Sequence, residues 1–225
     1  MAKLEWDKTG THYFENGVDH GVLYPQTDGG ASGSVVYGNG VAWNGLTSVT
    51  QSPEGAEPSA VYADNIKYLS LLSVEEFNAT IEAYTYPDEF AACDGSASLG
   101  EGVTIDQQAR KTFCLSYRTK IGNDVNNDLG YKIHIIYGCL AAPSERAYET
   151  VNDSPEAMTL SWEISTTPVV VTGFKPTSHL VIDSTKVKPA ALKAIEDALY
   201  GTESESAKIL MPDEVATLIK NSVGA

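Results

Sequence analysis

Apolar and polar residues alternate along several stretches of the chain, which is the pattern of β-strands with one buried and one solvated face. The segment SVEEFNATIEA, which begins at Ser73, shows this alternation clearly. Its odd positions from 77 to 83 are apolar, and its even positions are the polar residues Glu76, Asn78, Thr80 and Glu82. We expect these four side chains to lie on the solvated face of one strand.

Further strands are predicted on both sides of that segment. The composition indicates one strand over Val41–Gln51 and one over Val61–Leu72, separated by the polar loop SPEGAEPS (Ser52–Ser59). A long hairpin follows, with alternating arms around Phe113–Tyr117 and Tyr131–Tyr137 that are joined by the loop IGNDVNNDLG. Two later stretches, MTLSWEIS and HLVID, predict two more strands.

The hydrophobic pattern takes a helical period near the C-terminus. Apolar residues three to four positions apart predict helices over Pro189–Tyr200 and Pro212–Lys220. Pro87 and the two acidic residues after it predict a short helix that ends before Gly95. The predicted fold is therefore mainly β. We expect a β-sandwich or rolled barrel with a short flanking helix in residues 1–185, and a small C-terminal helical appendage in residues 186–225.

The charge of the chain excludes some classes of partner. The 225 residues contain 30 Asp and Glu against 15 Lys and Arg, which gives a formal net charge of −15. Tight binding to DNA or RNA needs clustered Lys and Arg, and the sequence has no such cluster. The N-terminal stretch MAKLEWDKTG lacks the apolar core of a secretory signal, and no stretch is long and apolar enough for a membrane helix. We expect no membrane partner.

Catalytic and metal-binding motifs are weak. Cys93, Cys114 and Cys139 are odd in number and read as buried reduced thiols, although Cys114 and His134 on the predicted hairpin could share a face. The loop residues Asp124, Asn126 and Asp128 have calcium-loop spacing, but Leu129 replaces the required glycine. Adjacent carboxylates on a strand point to opposite faces and do not form a catalytic dyad. We expect no enzyme activity, cofactor or metal.

Whole stretches of the sequence resemble the major tail tube protein of long-tailed phages with non-contractile tails. The resemblance lies in GVAWNGLTSVTQSPEGAE (Gly40–Glu57), ADNIKYLSLLSVEEFNATIEAYTYPDEF (Ala63–Phe90), LSWEISTTPV (Leu160–Val169) and ALYGTESESAKILMPDEVATLI (Ala198–Ile219). It spans nearly the whole chain, is most specific in Ala63–Phe90 and is least specific in residues 1–38.

The resemblance implies a structural virion protein. Such proteins assemble into hexameric rings, and the rings stack into a tube through which DNA passes without specific binding. The implied partners are other copies of the chain and the tape-measure, tail-terminator and baseplate or distal tail proteins. The implied location is the virion tail, with host cytoplasm before assembly. The family has no catalytic residues to transfer.

Two groups of residues become candidates for roles in such a tube. The polar residues Glu76, Asn78, Thr80 and Glu82 are candidates for the lumen wall, where an acidic surface would not retain DNA. Long polar loops often carry contacts, so the candidates for ring-to-ring contact are Ser52, Pro53, Glu54, Gly55 and Glu57 in one loop and Asn123, Asp124, Asn126, Asn127 and Asp128 in the other.

An adhesion or carbohydrate-binding β-sandwich without enzymatic activity is the alternative interpretation. It has the same composition and strands, but it requires a concave aromatic patch. Tyr84 and Tyr86 are the candidates for such a patch, and core packing accounts for them equally well.

Overall fold

The protein folds into a mainly β structure with three short helices, which confirms the predicted fold class. The structure is a computed structural model and describes residues 3–27, 35–151, 153 and 157–222. The strands are β1 Phe14–Thr27, β2 Val36–Tyr37, β3 Val41–Trp43, β4 Leu46–Glu54, β5 Pro58–Ala63, β6 Ile66–Leu72, β7 Glu76–Ala83, β8 Ala97–Gly100, β9 Val103–Ile105, β10 Phe113–Gly122, β11 Gly130–Ala141, β12 Leu160–Thr166 and β13 His179–Asp183. The helices are α1 Ala91–Asp94, preceded by a 3-10 turn over Asp88–Phe90, α2 Pro189–Tyr200 and α3 Pro212–Asn221.

Nine of the strands form one antiparallel sheet that folds over on itself at β11. The strand order is β2-β1-β10-β11-β12-β7-β4, with β3 on β1 and β13 on β11. The first half of β11 pairs with β13, and its last residues pair with β12. The first layer therefore contains β2, β3, β1, β10, β11 and β13, and the second layer contains β12, β7 and β4.

One hydrophobic core lies between the two layers. Leu23, Leu115 and Ile136 of the first layer pack there against Ile81 and Trp162 of the second. Phe90, from the turn before α1, packs edge-on against Trp162 with ring centroids 5.1 Å apart. The short helix predicted after Pro87 is confirmed, and it closes this core at one end.

A second core lies on the other face of the first layer, beneath the C-terminal helices. The apolar faces of α2 and α3 supply Ile195, Leu199 and Val215. The buried phenol of Tyr24 donates a hydrogen bond to the carbonyl of Leu199 at 2.7 Å. Strands β10 and β11 are thus buried on both faces over most of their length, although their sequence pattern predicted a solvated face.

Two of the predicted single strands are wrong, because each is broken by a turn. Val41–Gln51 divides at Asn44 and Gly45 into β3 and β4, and Gly45 has a φ of +81°. Val61–Leu72 divides at Asp64 and Asn65, whose φ angles of +50° and +62° suit the tight turn of a β-hairpin. The first break moves the chain from one layer to the other, and the second creates the hairpin of β5 and β6.

Candidate functional site

The outer face of the second layer carries the predicted lumen residues. Side chains that pair across antiparallel strands lie on the same face, so the register places four residues of β7 beside polar residues of β4 and β12. The cross-strand pairs are Glu76 with Glu54, Asn78 with Ser52 and Ser165, Thr80 with Thr50 and Glu163, and Glu82 with Ser48 and Ser161. The intervening β7 residues Ala79, Ile81 and Ala83 are buried in the core.

This surface, which we call the acidic face, contains only hydroxyl, amide and carboxylate side chains. Its four carboxylates are Glu54, Glu76, Glu82 and Glu163, and strands β4, β7 and β12 contain no Lys or Arg. The hydroxyl of Ser48 donates a hydrogen bond to Glu82 at 2.8 Å. The acidic face therefore presents negative charge and small polar groups to whatever lies against it.

The segment SPEGAEPS is not the loop that its composition predicted. Ser52, Pro53 and Glu54 are the last residues of β4, and Pro58 begins β5. Only Gly55, Ala56 and Glu57 lie between the strands, where Gly55 has a φ of +87° and approaches the Val74 carbonyl too closely for a Cβ atom. The predicted contact residues Gly55 and Glu57 therefore form a joint between the second layer and the hairpin.

The β5–β6 hairpin, which we call the arm, extends beyond that joint. Every residue of its two strands is exposed. Large apolar side chains occur on both faces, because Val61 pairs with Leu69 on one face and Pro58 pairs with Leu72 on the other. The exposed apolar residues of the arm are Val61, Tyr62, Ile66, Tyr68, Leu69, Leu71 and Leu72. A two-stranded hairpin of this kind is marginal in water unless another surface covers it.

The loop IGNDVNNDLG lies at the same end of the molecule as the arm and binds the N-terminal segment. The buried Asn123 accepts the backbone N–H groups of Val125 and Asn126 and donates to the Gly10 carbonyl at 2.9 Å. The Asp124 carboxylate accepts the Gly10 N–H, and this bond holds the pKa of Asp124 below its usual range.

Three other predicted contact residues of that loop have backbone roles. Asn126 accepts the N–H of Asp128 in a local turn, and the backbone of Asn127 packs closely against Gly122. The Asn and Asp residues of this loop therefore stabilise the conformation of a turn.

The opposite end of the molecule also exposes apolar side chains. Strand register defines this end, since Leu46 of β4 pairs there with Ala83 of β7, whereas Glu54 pairs with Glu76 at the arm end. The small hairpin of β8 and β9 and the segment after β11 project from it. Its exposed apolar residues are Tyr84, Leu99, Val103, Tyr148 and Val151.

The candidates for other chemistry are not brought together. Cys114 lies in the core beneath the helices, whereas His134 lies on the other face of the same layer, so the two residues do not share a face. Burial raises the pKa of the Cys114 thiol to about 12, which keeps it protonated and unreactive at neutral pH. Tyr86 packs edge-on against Phe90 and Trp162, so it does not form an open aromatic patch with Tyr84.

The described part of the chain contains no group of three or more His, Cys, Asp or Glu side chains arranged to hold a metal ion. Among the described residues, no helix has the length and apolar character needed to cross a membrane. In comparisons with known proteins, no protein-family model and no curated protein matches the chain.

The main feature that sequence reasoning missed is the arm. Its local signal was the Asp64-Asn65 dipeptide between two apolar runs, since Asp and Asn tolerate the positive φ angles of a hairpin turn. Nothing in the sequence indicated that the arm is exposed, because Val, Leu, Ile and Tyr in alternating strands usually indicate burial.

Proposed function

We propose that this chain is a structural virion protein that assembles into the tail tube of a phage with a long, non-contractile tail. The observation that carries the proposal is the arm, whose apolar side chains are exposed on both faces. Monomeric soluble proteins rarely expose apolar patches larger than a few hundred Å², and larger patches mark interaction surfaces. Another copy of the chain is the partner that the sequence resemblance supplies.

The positions of the exposed surfaces favour an open polymer. The arm projects from one end of the molecule, and the apolar residues around Leu99, Val103 and Tyr148 lie at the other. When one end of a molecule binds the opposite end of the next copy, the contact is heterologous and repeats without closing. Stacked rings in a tube make this kind of contact, and the hexameric ring is taken from the resemblance.

The acidic face supports the role of a DNA conduit. A wall that retains DNA would neutralise phosphates with Lys and Arg and release counterions. Strands β4, β7 and β12 have neither residue and present four glutamates on this face. We propose that the acidic face lines the lumen, with DNA passing along it unbound. The further proposed partners are the tape-measure, tail-terminator and baseplate or distal tail proteins.

Electron microscopy and sedimentation of the purified protein test self-assembly. We expect the wild-type chain to form rings or tubes at high concentration. The double variant Ile66→Asp/Leu72→Asp places charges on the arm, and it should remain a folded monomer because both side chains are largely exposed in the isolated subunit.

The control for this experiment is Lys193→Gln on the exposed side of α2, which should assemble like the wild type. The proposal is wrong if the wild-type protein stays monomeric and no tubes occur in infected cells. The role of the arm is wrong if the double variant assembles normally.

A further inference from the structure

Four aromatic rings form a continuous stack across the sheet near the base of the arm. Phe77 of β7 stacks on His179 of β13 at 4.8 Å between ring centroids, and His179 stacks on His134 of β11 at 5.4 Å. His134 in turn lies parallel to Tyr117 of β10 at 4.8 Å. The stack therefore connects the second layer, which carries the arm, to the middle of the first layer.

Both strands that lead into the arm contact this stack. Phe77 stands one residue after the start of β7, directly beyond the arm. On β4, Gln51 donates a hydrogen bond to the phenolic oxygen of Tyr117 at 2.8 Å, and its amide nitrogen lies 3.4 Å from His179 Nε2. The pairing of Gln51 with Ala79 joins the two strands at this level. We call these parts of β4 and β7 the stem of the arm.

Each imidazole turns one ring nitrogen toward the other imidazole, and the space between these two nitrogen atoms fits only one proton. His134 Nδ1 lies 3.2 Å from His179 Nε2, so one nitrogen donates and the other accepts. A first added proton can reside on His134, whose Nε2 lies 3.3 Å from the Glu15 carboxylate. A second added proton places two N–H groups and two positive charges against each other, and the hydrogen bond between the rings is lost.

The surroundings of the pair do not compensate for that second charge. The charged groups nearest to it are Glu15 on β1, which already accepts from Thr119 and Lys132, and Lys132 itself on β11. Tyr117 on β10 is an uncharged phenol, and Asp183 on β13 is bonded to Thr185 and Lys186. The stem strands contribute only Gln51 and Phe77. Burial lowers the pKa of His179, with a further contribution from His134, to about 4.

We propose that the His134–His179 pair is an acid-sensitive latch that holds the stem of the arm against the first layer and releases it when both imidazoles are protonated. At neutral pH the latch fixes the direction of the arm. In acid the stem separates from the first layer while the rest of the sheet remains paired. This inference concerns the isolated subunit and does not depend on the proposed function.

Hydrogen exchange of the full-length monomer tests the latch. Protection of the stem amides, corrected for the intrinsic exchange rate, should fall by on the order of a hundredfold between pH 6.5 and 4. Amides of Leu23 and Tyr24 in the first layer serve as the reference and should change much less. Equal protection of the stem at both pH values would overturn the proposal.

Variants distinguish the effect of protonating the histidine pair from the effects of other groups that are protonated in acid. His179→Phe keeps a stacked ring that cannot be protonated, so it should abolish the loss of stem protection. His20→Gln changes an exposed histidine and should behave like the wild type. If His179→Phe is insoluble, His179→Gln makes the same test, because its amide stays uncharged in acid. Loss of stem protection that persists in the His179 variant would overturn the proposal.

The acidic face predicts the opposite effect of pH on the stem. Glu54 and Glu76 are paired directly across β4 and β7, and acid removes their repulsion and tightens the stem.

A second measurement needs no variant, because proton NMR reports each ring in the wild-type protein. Burial lowers the pKa of both His134 and His179, so both rings should titrate below the ordinary histidine value of about 6.5. Titration of both rings at that ordinary value would also overturn the proposal.

Discussion

In a few buried polar side chains every polar atom has a hydrogen-bond or ion-pair partner, and Asp94 is the clearest example. Its side chain is buried, where one carboxylate oxygen accepts the indole N–H of Trp162 at 3.0 Å and the other contacts the Arg146 guanidinium. Arg110 lies 3.6 Å away and donates to the Ala141 carbonyl. Asp94 therefore joins α1 to β12 and to the chain on both sides of the β10–β11 hairpin.

Replacement of Asp94 by Ala should lower the free energy of unfolding by about 3–5 kcal/mol, because it leaves the buried indole N–H without its acceptor and removes the carboxylate that neutralises two partly buried arginines. Urea denaturation measures the effect. Asp197→Ala is the matched control, since it removes an exposed i,i+4 partner of Lys193 on α2 and should cost less than about 1 kcal/mol. Equal losses in both variants would contradict the role of Asp94.

At the scale of elements, the fold depends on a strand that changes partners. Strand β11 pairs with β13 up to Ile136 and with β12 from Cys139 onward. Gly138 stands at this junction with a φ of +59°, and a Cβ atom there would lie 2.4 Å from the Thr167 carbonyl oxygen. The bend at Gly138 lets one sheet form both layers and places the acidic face on the outside.

The variant Gly138→Ala should destabilise the protein by about 2–4 kcal/mol, because it adds backbone strain of roughly 1–2 kcal/mol and a steric clash with Thr167. Gly173→Ala is the matched control. Gly173 has a similar positive φ of +80° but nothing within 4 Å of a Cβ atom, so it should show only the strain. Thermal and urea unfolding of the two variants would measure the difference, and equal losses would show that the clash at residue 138 is relieved at no cost.

At the scale of the whole molecule, the notable feature is how negative charge and apolar surface are separated. The acidic face occupies the outer side of the second layer, and the exposed apolar residues of the arm and of the opposite end lie outside that face. Under the proposed function, the subunit would assemble through its two ends and present its acidic face to solvent.

If the acidic face lines a DNA conduit, Glu76→Lys/Glu82→Lys should slow DNA ejection from assembled virions, and the defect should ease as salt rises. The physical reason is attraction between lysine and phosphate, which acts over about 10 Å at 0.1 M salt. Folding should be nearly unaffected, because partly exposed charges contribute little to stability.

Ejection kinetics at two salt concentrations check this prediction. Glu203→Lys/Glu205→Lys is the control, since it makes the same change of charge in the exposed segment between α2 and α3. Normal ejection from virions that carry the first pair would contradict the placement of Glu76 and Glu82 in the lumen. Equal slowing by both pairs would show that the total charge of the subunit matters instead.

Local pattern alone predicted much of the secondary structure. The alternation over β7 placed Glu76, Asn78, Thr80 and Glu82 on one face, and the structure has them there beside the polar residues of β4 and β12. Helix α2 begins and ends where its proline and apolar period predicted, and α3 extends one residue further. These features depend on neighbouring residues, because side-chain periodicity and the φ preferences of Pro and Gly act within a few positions of the chain.

Tertiary structure decided which faces are covered and by what. Periodicity shows that residues share a face, but it does not show that α2 and α3 cover one side of β10 and β11, or that the described residues of the subunit leave the arm uncovered. The stack of Phe77, His179, His134 and Tyr117 likewise joins residues up to 102 positions apart, from 77 to 179. Burial and imidazole contact depend on the pairing of distant strands, and that pairing is set by the packing of the whole chain rather than by any local pattern.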